Sequence, residues 1–215
     1  MLVIFDMDGV LADTAPIHFK SWQMLADKIG EQFTKEFFEN TFGQRTIPII
    51  KQLVNRNVKK NKLQKWAELK EKYYRELIKD KIEPIPGVIS LIKELKEEKV
   101  PLAVGSSGPL QNVTLLLESL QIKDVFDVII TGADVKKGKP DPEVFQIIQE
   151  QLQISPDKCI VIEDAPVGIK AAKNARMKAI ALTTTHKKEE LKAADLILED
   201  LSQVNYQKLN QLIKS

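Results

Sequence analysis

The stretch FDMDGVLADT sets two aspartates, Asp6 and Asp8, one residue apart and directly after the apolar run Leu2, Val3, Ile4 and Phe5. If strand geometry persists through Met7, both carboxylates point the same way, because side chains alternate along a strand with a period of two. Two carboxylates so close repel each other unless a cation or a shared proton intervenes. The competing reading is a strand-end turn, with Asp8-Gly9 as the turn dipeptide and Asp6 merely solvated. A second acidic pair, Glu163 and Asp164, follows a second apolar run and opens the stretch APVGIKAA. Four carboxylates converging on one sheet edge require a cation. A hard divalent ion, Mg²⁺ above all, answers that need, since it prefers oxygen ligands, retains waters and engages substrate phosphate.

Two further stretches carry groups suited to phosphate. Gly105, Ser106, Ser107 and Gly108 precede Pro109, which opens a helix. Hydroxyls and backbone N–H groups at a helix start form an anion site, although Ser106 or Ser107 would serve equally as an ordinary cap. In KKGKPDPEVF, Lys139 stands between Gly138 and Pro140. A flexible and a rigid neighbour favour a fixed ammonium over one that is only solvated.

These residues must be positioned by strand ends. The run of residues 2–5 is apolar without alternation, which suits a parallel strand buried on both faces, and residues 102–104, 128–130, 159–162 and 179–182 read alike. Between them, Val88, Leu91, Ile92 and Leu95, and again Val113, Leu116, Leu117 and Leu120, follow the spacing of one helix face. Strands alternating with helices predict an α/β fold, a doubly wound, Rossmann-like parallel sheet whose ligands bind outside the carboxyl ends of its strands. Residues 15–83 break this alternation, being charged and aromatic with helical periodicity and no convincing β-branched run. They predict an all-helical cap inserted into a core of residues 1–14 and 84–215. Pro16 and the stretch EPIPG mark its junctions. The two crossings lie close together if the sheet is continuous, so the module can hinge as a lid. Val204, Leu209 and Leu212 predict a closing helix.

Composition narrows the classes. Among 215 residues, 32 basic and 30 acidic side chains leave a formal charge of +2, so no global field points to nucleic acid. The single cysteine, Cys159, falls in an apolar run and reads as a buried core residue. No apolar stretch approaches a membrane span and no signal pattern precedes Asp6, which predicts a soluble cytoplasmic protein.

In order along the chain, DMDGVLADT, GSSGP, KKGKPDP and VIEDAPVGIKAA resemble the motifs of the haloacid dehalogenase superfamily of phosphotransferases, within the branch of β-phosphoglucomutase and the small sugar-phosphate phosphatases. The resemblance covers nearly the whole chain. It implies that Asp6 is a nucleophile that forms an aspartyl phosphate, and that Asp8 protonates the leaving oxygen and then activates water. It further implies that Ser106 and Lys139 bind the phosphoryl oxygens. Asp6, the backbone carbonyl of Asp8, Asp164 and Glu163, directly or through water, would hold Mg²⁺. Dehalogenases of this superfamily lack the second aspartate, so the presence of Asp8 speaks against dehalogenation.

In the cap, Arg45 resembles the arginine that grips a distal phosphate or sugar hydroxyls. Lys70 shares a helix side with Trp66, Tyr73 and Tyr74, an aromatic surround that suits a sugar face, with a snorkelling surface lysine as the alternative. His18 matches a histidine near the hinge that helps order the acid/base in the mutases, or else packs beside Trp22. No motif surrounds His186. The sugar mutases carry a Ser-Lys-Asn-like continuation after the second motif, where this chain has Ser107, Gly108, Pro109 and Leu110. Loss of that lysine favours a phosphatase of small phosphosugars over a β-phosphoglucomutase. A receiver-like phospho-accepting switch needs neither Asp8 nor a cap, and a structural binding module gives no reason for the clustered acids. The expected partner is a small phosphate ester, and a capped site of this kind can work in a monomer.

Overall fold

Each of the five apolar runs forms a parallel strand. The computed structural model describes residues 1–78 and 82–214. Its strands are β1 (Leu2–Phe5), β2 (Leu102–Gly105), β3 (Val128–Ile130), β4 (Cys159–Glu163) and β5 (Lys178–Leu182). A sixth, β6 (Leu196–Leu198), extends the sheet beyond the expected set, because three half-buried residues are too few to display a period. The order is β3-β2-β1-β4-β5-β6, and every pairing is parallel. Strand order therefore reverses between β1 and β4, where Phe5 pairs with Ile162. In open α/β sheets a crevice forms at such a switch point.

Period-two alternation sorts the strand residues onto two cores. Val3, Phe5, Leu102, Val104, Ile160 and Ile162 face α5 (Val88–Glu97), α6 (Leu110–Ser119) and α9 (Tyr206–Lys214). Leu2, Ile4, Ala103, Cys159 and Val161 face α7 (Glu143–Gln151) and α8 (Pro166–Asn174). Each fully buried aliphatic side chain contributes about 1.5–3 kcal/mol, so the doubly covered central strands anchor the fold. Cys159 is buried, and burial pushes its thiol up to about 12, as expected of a core cysteine rather than a reactive one.

The helical insertion comprises α1 (Ala15–Ile29), α2 (Lys35–Thr41), α3 (Thr46–Val54) and α4 (Lys60–Ile78). These pack around a third core of their own that includes Trp22, Leu25, Phe33, Phe38, Ile50 and Leu63. Residues 79–81 of the expected cap lie outside the described residues. The two crossings do run side by side: Ala12 bridges Pro84, and Ile85 N–H donates to Leu11 at 3.1 Å. The molecule is an α/β protein with a six-stranded parallel sheet and an N-terminal helical cap region. No helix among the described residues is long and apolar enough to cross a membrane.

Candidate active site

The two acidic pairs emerge on adjacent strands at the switch point. Asp6 follows β1 and keeps the ladder, its N–H donating to Ile162 at 2.9 Å. Glu163 ends β4, and Asp164 follows it. Carboxylate oxygens of Asp6, Glu163 and Asp164 all lie within 4.8 Å of one another, and all three residues are buried. Lys139, on the loop between β3 and α7, sends its ammonium between two of them, 2.6 Å from Asp6 Oδ1 and 2.7 Å from Glu163 Oε1. Burial pulls that ammonium down, but the Asp6 and Glu163 carboxylates outweigh it and hold Lys139 charged. Glu163 is fully engaged, since Oε2 accepts the N–H groups of Asp164 (2.8 Å) and Ala165 (2.9 Å).

Asp8 departs from the expected convergence. The strand stops at Phe5, and the chain turns through Gly9, whose φ is +73°, so that Asp8 bridges Ala12. Met7 is buried in the same core as Val3 and Phe5, so Asp6 and Asp8 both avoid that core, yet their carboxylates take different partners. The Asp8 carboxylate turns toward the helical region instead, where Oδ1 accepts from Thr14 Oγ1 (2.5 Å) and faces His18 Nε2 (3.1 Å). Three carboxylates, not four, thus form the acidic cluster, and Asp8 lines the same cavity from another side. Burial acts to raise the Asp8 carboxyl, but His18, Thr14 and Lys70 together hold it below the usual range. The reverse holds for Asp6, which burial and the charges of Glu163 and Asp8 raise to about 7 against the pull of Lys139. Asp164 is pushed well above the carboxylate range by burial and by Glu163 and Asp6, although Thr185 Oγ1 bonds its Oδ2.

Around this centre the other expected residues take distinct places. Ser106 is buried after β2, with Oγ accepting the Gly108 N–H at 3.0 Å. Neither serine caps α6, whose N-cap is Pro109 without a side-chain bond, so the ordinary capping alternative does not apply. Ser107 lines the cavity with Gly108. Lys70 does not snorkel. Its ammonium is buried, 2.8 Å from His18 Nδ1 and 3.3 Å from both Glu71 oxygens, with the rings of Trp22 and Tyr74 at 5.1 and 5.3 Å. An ammonium only donates, so His18 Nδ1 accepts and Nε2 carries the hydrogen that faces Asp8. Tyr74 stacks on His18 at 4.1 Å and locks the ring. Arg45 reaches across the seam to the carbonyls of Val135 (3.4 Å) and Lys136 (3.3 Å) and lines a pocket of about 740 Å³ beside the acidic cavity.

Sequence reasoning missed Thr14, Glu71, Asn112, Thr185 and His186. Glu71 accepts from Thr46 (2.5 Å) and, across the seam, from Asn112 (2.6 Å); burial acts to raise its carboxyl, but Lys70 above all, then His18 and these two hydrogen bonds, hold it below its usual range. Thr14 lies inside the first motif and was legible as a polar residue there. The others pair with residues far away in sequence and carry no local signal.

A sequence model described as haloacid dehalogenase-like hydrolase matches residues 3–182. The chain belongs to this family. It is 33% identical over 182 residues to the phosphorylated carbohydrates phosphatase of Thermotoga maritima, covering 83% of this chain and 82% of that one. It is also 32% identical to the β-phosphoglucomutase of Bacillus subtilis, over 97% of this chain and 93% of that protein. In three dimensions it resembles a β-phosphoglucomutase of Clostridium difficile, with a TM-score of 0.91 and 30% identity over 99% of this chain and 96% of that one. As a haloacid dehalogenase-like hydrolase, the chain has its buried acids where strands β1 and β4 meet and its helical region over them.

Proposed function

We propose that the protein is a Mg²⁺-dependent phosphatase of small phosphosugars that works through an aspartyl phosphate. The observation that carries this reading is the placement of Asp6 against Lys139, with Asp8 in the same cavity but on a separate hydrogen-bond system. Asp6 stands beside the ammonium that would neutralise a phosphoryl group, and Asp8 stands apart on Thr14 and His18, so one carboxylate can attack while the other moves protons. The relatives include phosphatases of carbohydrates and of fructose 1-phosphate, which supports the substrate class.

A divalent cation fits the residues present. Three buried carboxylates face one ammonium, and among the described residues the Asp164 side chain accepts from a neutral hydroxyl and from no cation. Asp6, Asp164 and the carbonyl of Asp8 would hold the ion, with Glu163 behind it. When bound, Mg²⁺ supplies positive charge beside the phosphoryl oxygens. Ionised Asp6 attacks phosphorus, forming its O–P bond as the bond to the sugar oxygen breaks, and Asp8, having taken up a proton from solvent, gives it to that oxygen. Water then attacks the same phosphorus, Asp8 takes its proton, and Asp6 is released with inorganic phosphate. Lys139 and Ser106 hold the transferred group, because phosphoryl transfer depends above all on positioning and charge neutralisation. Arg45 and Ser107 stand toward the sugar, and residues 15–83 act as the lid that excludes bulk water. Lys70 acts through His18, which orders Asp8.

The likeness to β-phosphoglucomutases favours a second reading, in which a sugar hydroxyl replaces water as acceptor. Incubation with Mg²⁺ and a panel of phosphosugars separates the two, provided it includes β-glucose 1-phosphate with a trace of glucose 1,6-bisphosphate. Phosphate release from one or a few sugars supports the phosphatase. Rapid glucose 6-phosphate formation with little phosphate makes it a mutase. Asp6→Asn and Asp8→Asn abolish turnover while preserving the fold by circular dichroism, and activity retained in purified Asp6→Asn defeats the mechanism. A phospho-accepting switch without turnover gives neither product.

A further inference from the structure

His186 lies outside every motif, yet it touches both halves of the molecule. It follows β5 and is buried, with 8% relative exposure. Its Nε2 lies 3.1 Å from the main-chain oxygen of Glu39, in the last turn of α2. Carbonyls of a last turn have no partner within their helix, so this one needs a donor from outside. On the other side of the ring, Nδ1 lies 3.1 Å from the main-chain oxygen of Asp164 and 3.0 Å from Thr185 Oγ1. The same Thr185 hydroxyl reaches Asp164 Oδ2.

We propose that His186 is a positioning residue that couples the seating of α2 to Asp164, so that docking of the helical region and binding of a divalent cation favour each other. The coupling rests on the assignment of Asp164 to the cation made above. A neutral imidazole carries one N–H, and a hydroxyl carries one hydrogen. With the ring hydrogen on Nε2 and donated to Glu39, Nδ1 presents a lone pair 3.0 Å from Thr185 Oγ1, to which the Thr185 hydrogen can swing from Asp164 Oδ2 when a cation arrives. Asp164 Oδ2 is then left with its lone pairs open to a cation. With α2 withdrawn, the ring hydrogen resides on Nδ1 and is donated to the Asp164 carbonyl, and the Thr185 hydroxyl returns to Oδ2, where it competes with the ion. Only the tautomer changes, and no proton is gained or lost. Favouring must run both ways, because linkage between two binding events is reciprocal.

The test uses the full chain and Mg²⁺ alone, with calorimetry for affinity and amide hydrogen exchange for α2. Asn at position 186 reaches about as far as Nδ1, and Gln about as far as Nε2, so His186→Asn keeps only the contact near Asp164 and His186→Gln only that to Glu39. Both variants are expected to bind Mg²⁺ about 10-fold more weakly, the usual effect of losing a partner behind a metal ligand. In the unmodified chain Mg²⁺ slows exchange in α2, and in both variants that response disappears. A response that persists in His186→Asn, with only His186→Gln weakened, reduces His186 to a local brace and overturns the proposal. Asp164→Asn is the control. If it loses Mg²⁺ while both His186 variants match the unmodified chain, the coupling alone falls. If it binds Mg²⁺ normally, the cation assignment falls and the coupling with it.

Discussion

Lys139 stands between two buried carboxylates, and its worth is best seen in what its removal leaves behind. Lys139→Met strands Asp6 and Glu163 without their shared cation. Breaking a buried ion pair from one side costs about 3–5 kcal/mol, a loss that chemical denaturation will register. Under the proposed mechanism turnover falls at least about 100-fold as well, since a preorganised charge at the transferring group is lost. His18 acts one step further out. It touches Asp8 and not the acidic cluster, and Lys70 fixes which of its nitrogens carries the hydrogen. If Asp8 is the acid/base proposed above, His18→Ala lowers kcat by about 10-fold while leaving KM nearly unchanged, the pattern of a residue that orders the acid/base rather than binding the sugar. Steady-state kinetics on any phosphosugar that the protein hydrolyses checks this.

At the scale of elements, two strand ends and one helix start share a very small space. A Cβ on Gly168, in the first turn of α8, would sit 1.7 Å from Glu163 Oε1. The bare backbone there lets the Glu163 carboxylate fold over the helix start and meet Lys139. Gly168→Ala displaces that carboxylate, and the overpacked site is expected to lose about 1–3 kcal/mol of stability together with the 2.7 Å contact. Reduced melting temperature and reduced turnover should appear together; a variant that loses neither shows that Glu163 has room to move. On the other strand end, Gly9 serves the same purpose, because at its φ of +73° the backbone passes so close to Asp164 that a Cβ would sit 2.0 Å from Oδ2.

For the molecule as a whole, two cores sandwich the sheet and a third fills the helical region. Asp195 ties the sheet to a covering helix, bonding Lys173 of α8 at 2.7 and 2.9 Å and the Ala179 N–H of β5 at 2.7 Å. Burial acts to raise this carboxyl, but Lys173 and the Ala179 N–H hold it below its usual range. A carboxyl lowered in the folded state contributes stability above its unfolded pKa and loses it as pH falls through the folded one. Asp195→Asn is accordingly less stable at pH 7 by about 1 kcal/mol, and its deficit closes as pH drops below about 4. Urea unfolding of both proteins across that range tests the sign directly.

Period and residue type were enough to determine much of this protein. Continuous apolar runs can be satisfied only as doubly covered parallel strands, so β1 to β5, the helices between them and the carboxyl-end location of the acids were legible. The helical periodicity of residues 15–83 likewise left helix as the way to bury Trp22, Leu25 and Ile50. What depended on contacts between distant residues was not legible. β6 is a strand because Leu182 and Leu198 pair, not because three residues insist on it. Asp8 meets His18 because the chain turns at Gly9 to enter the helical region, and alternation along a strand does not say which partners a residue at that turn will find. His186 meets Glu39 across 147 residues. Local sequence sets which groups can bond; which of them do so is decided by packing, since a buried donor or acceptor must take whatever partner the assembled elements bring to it.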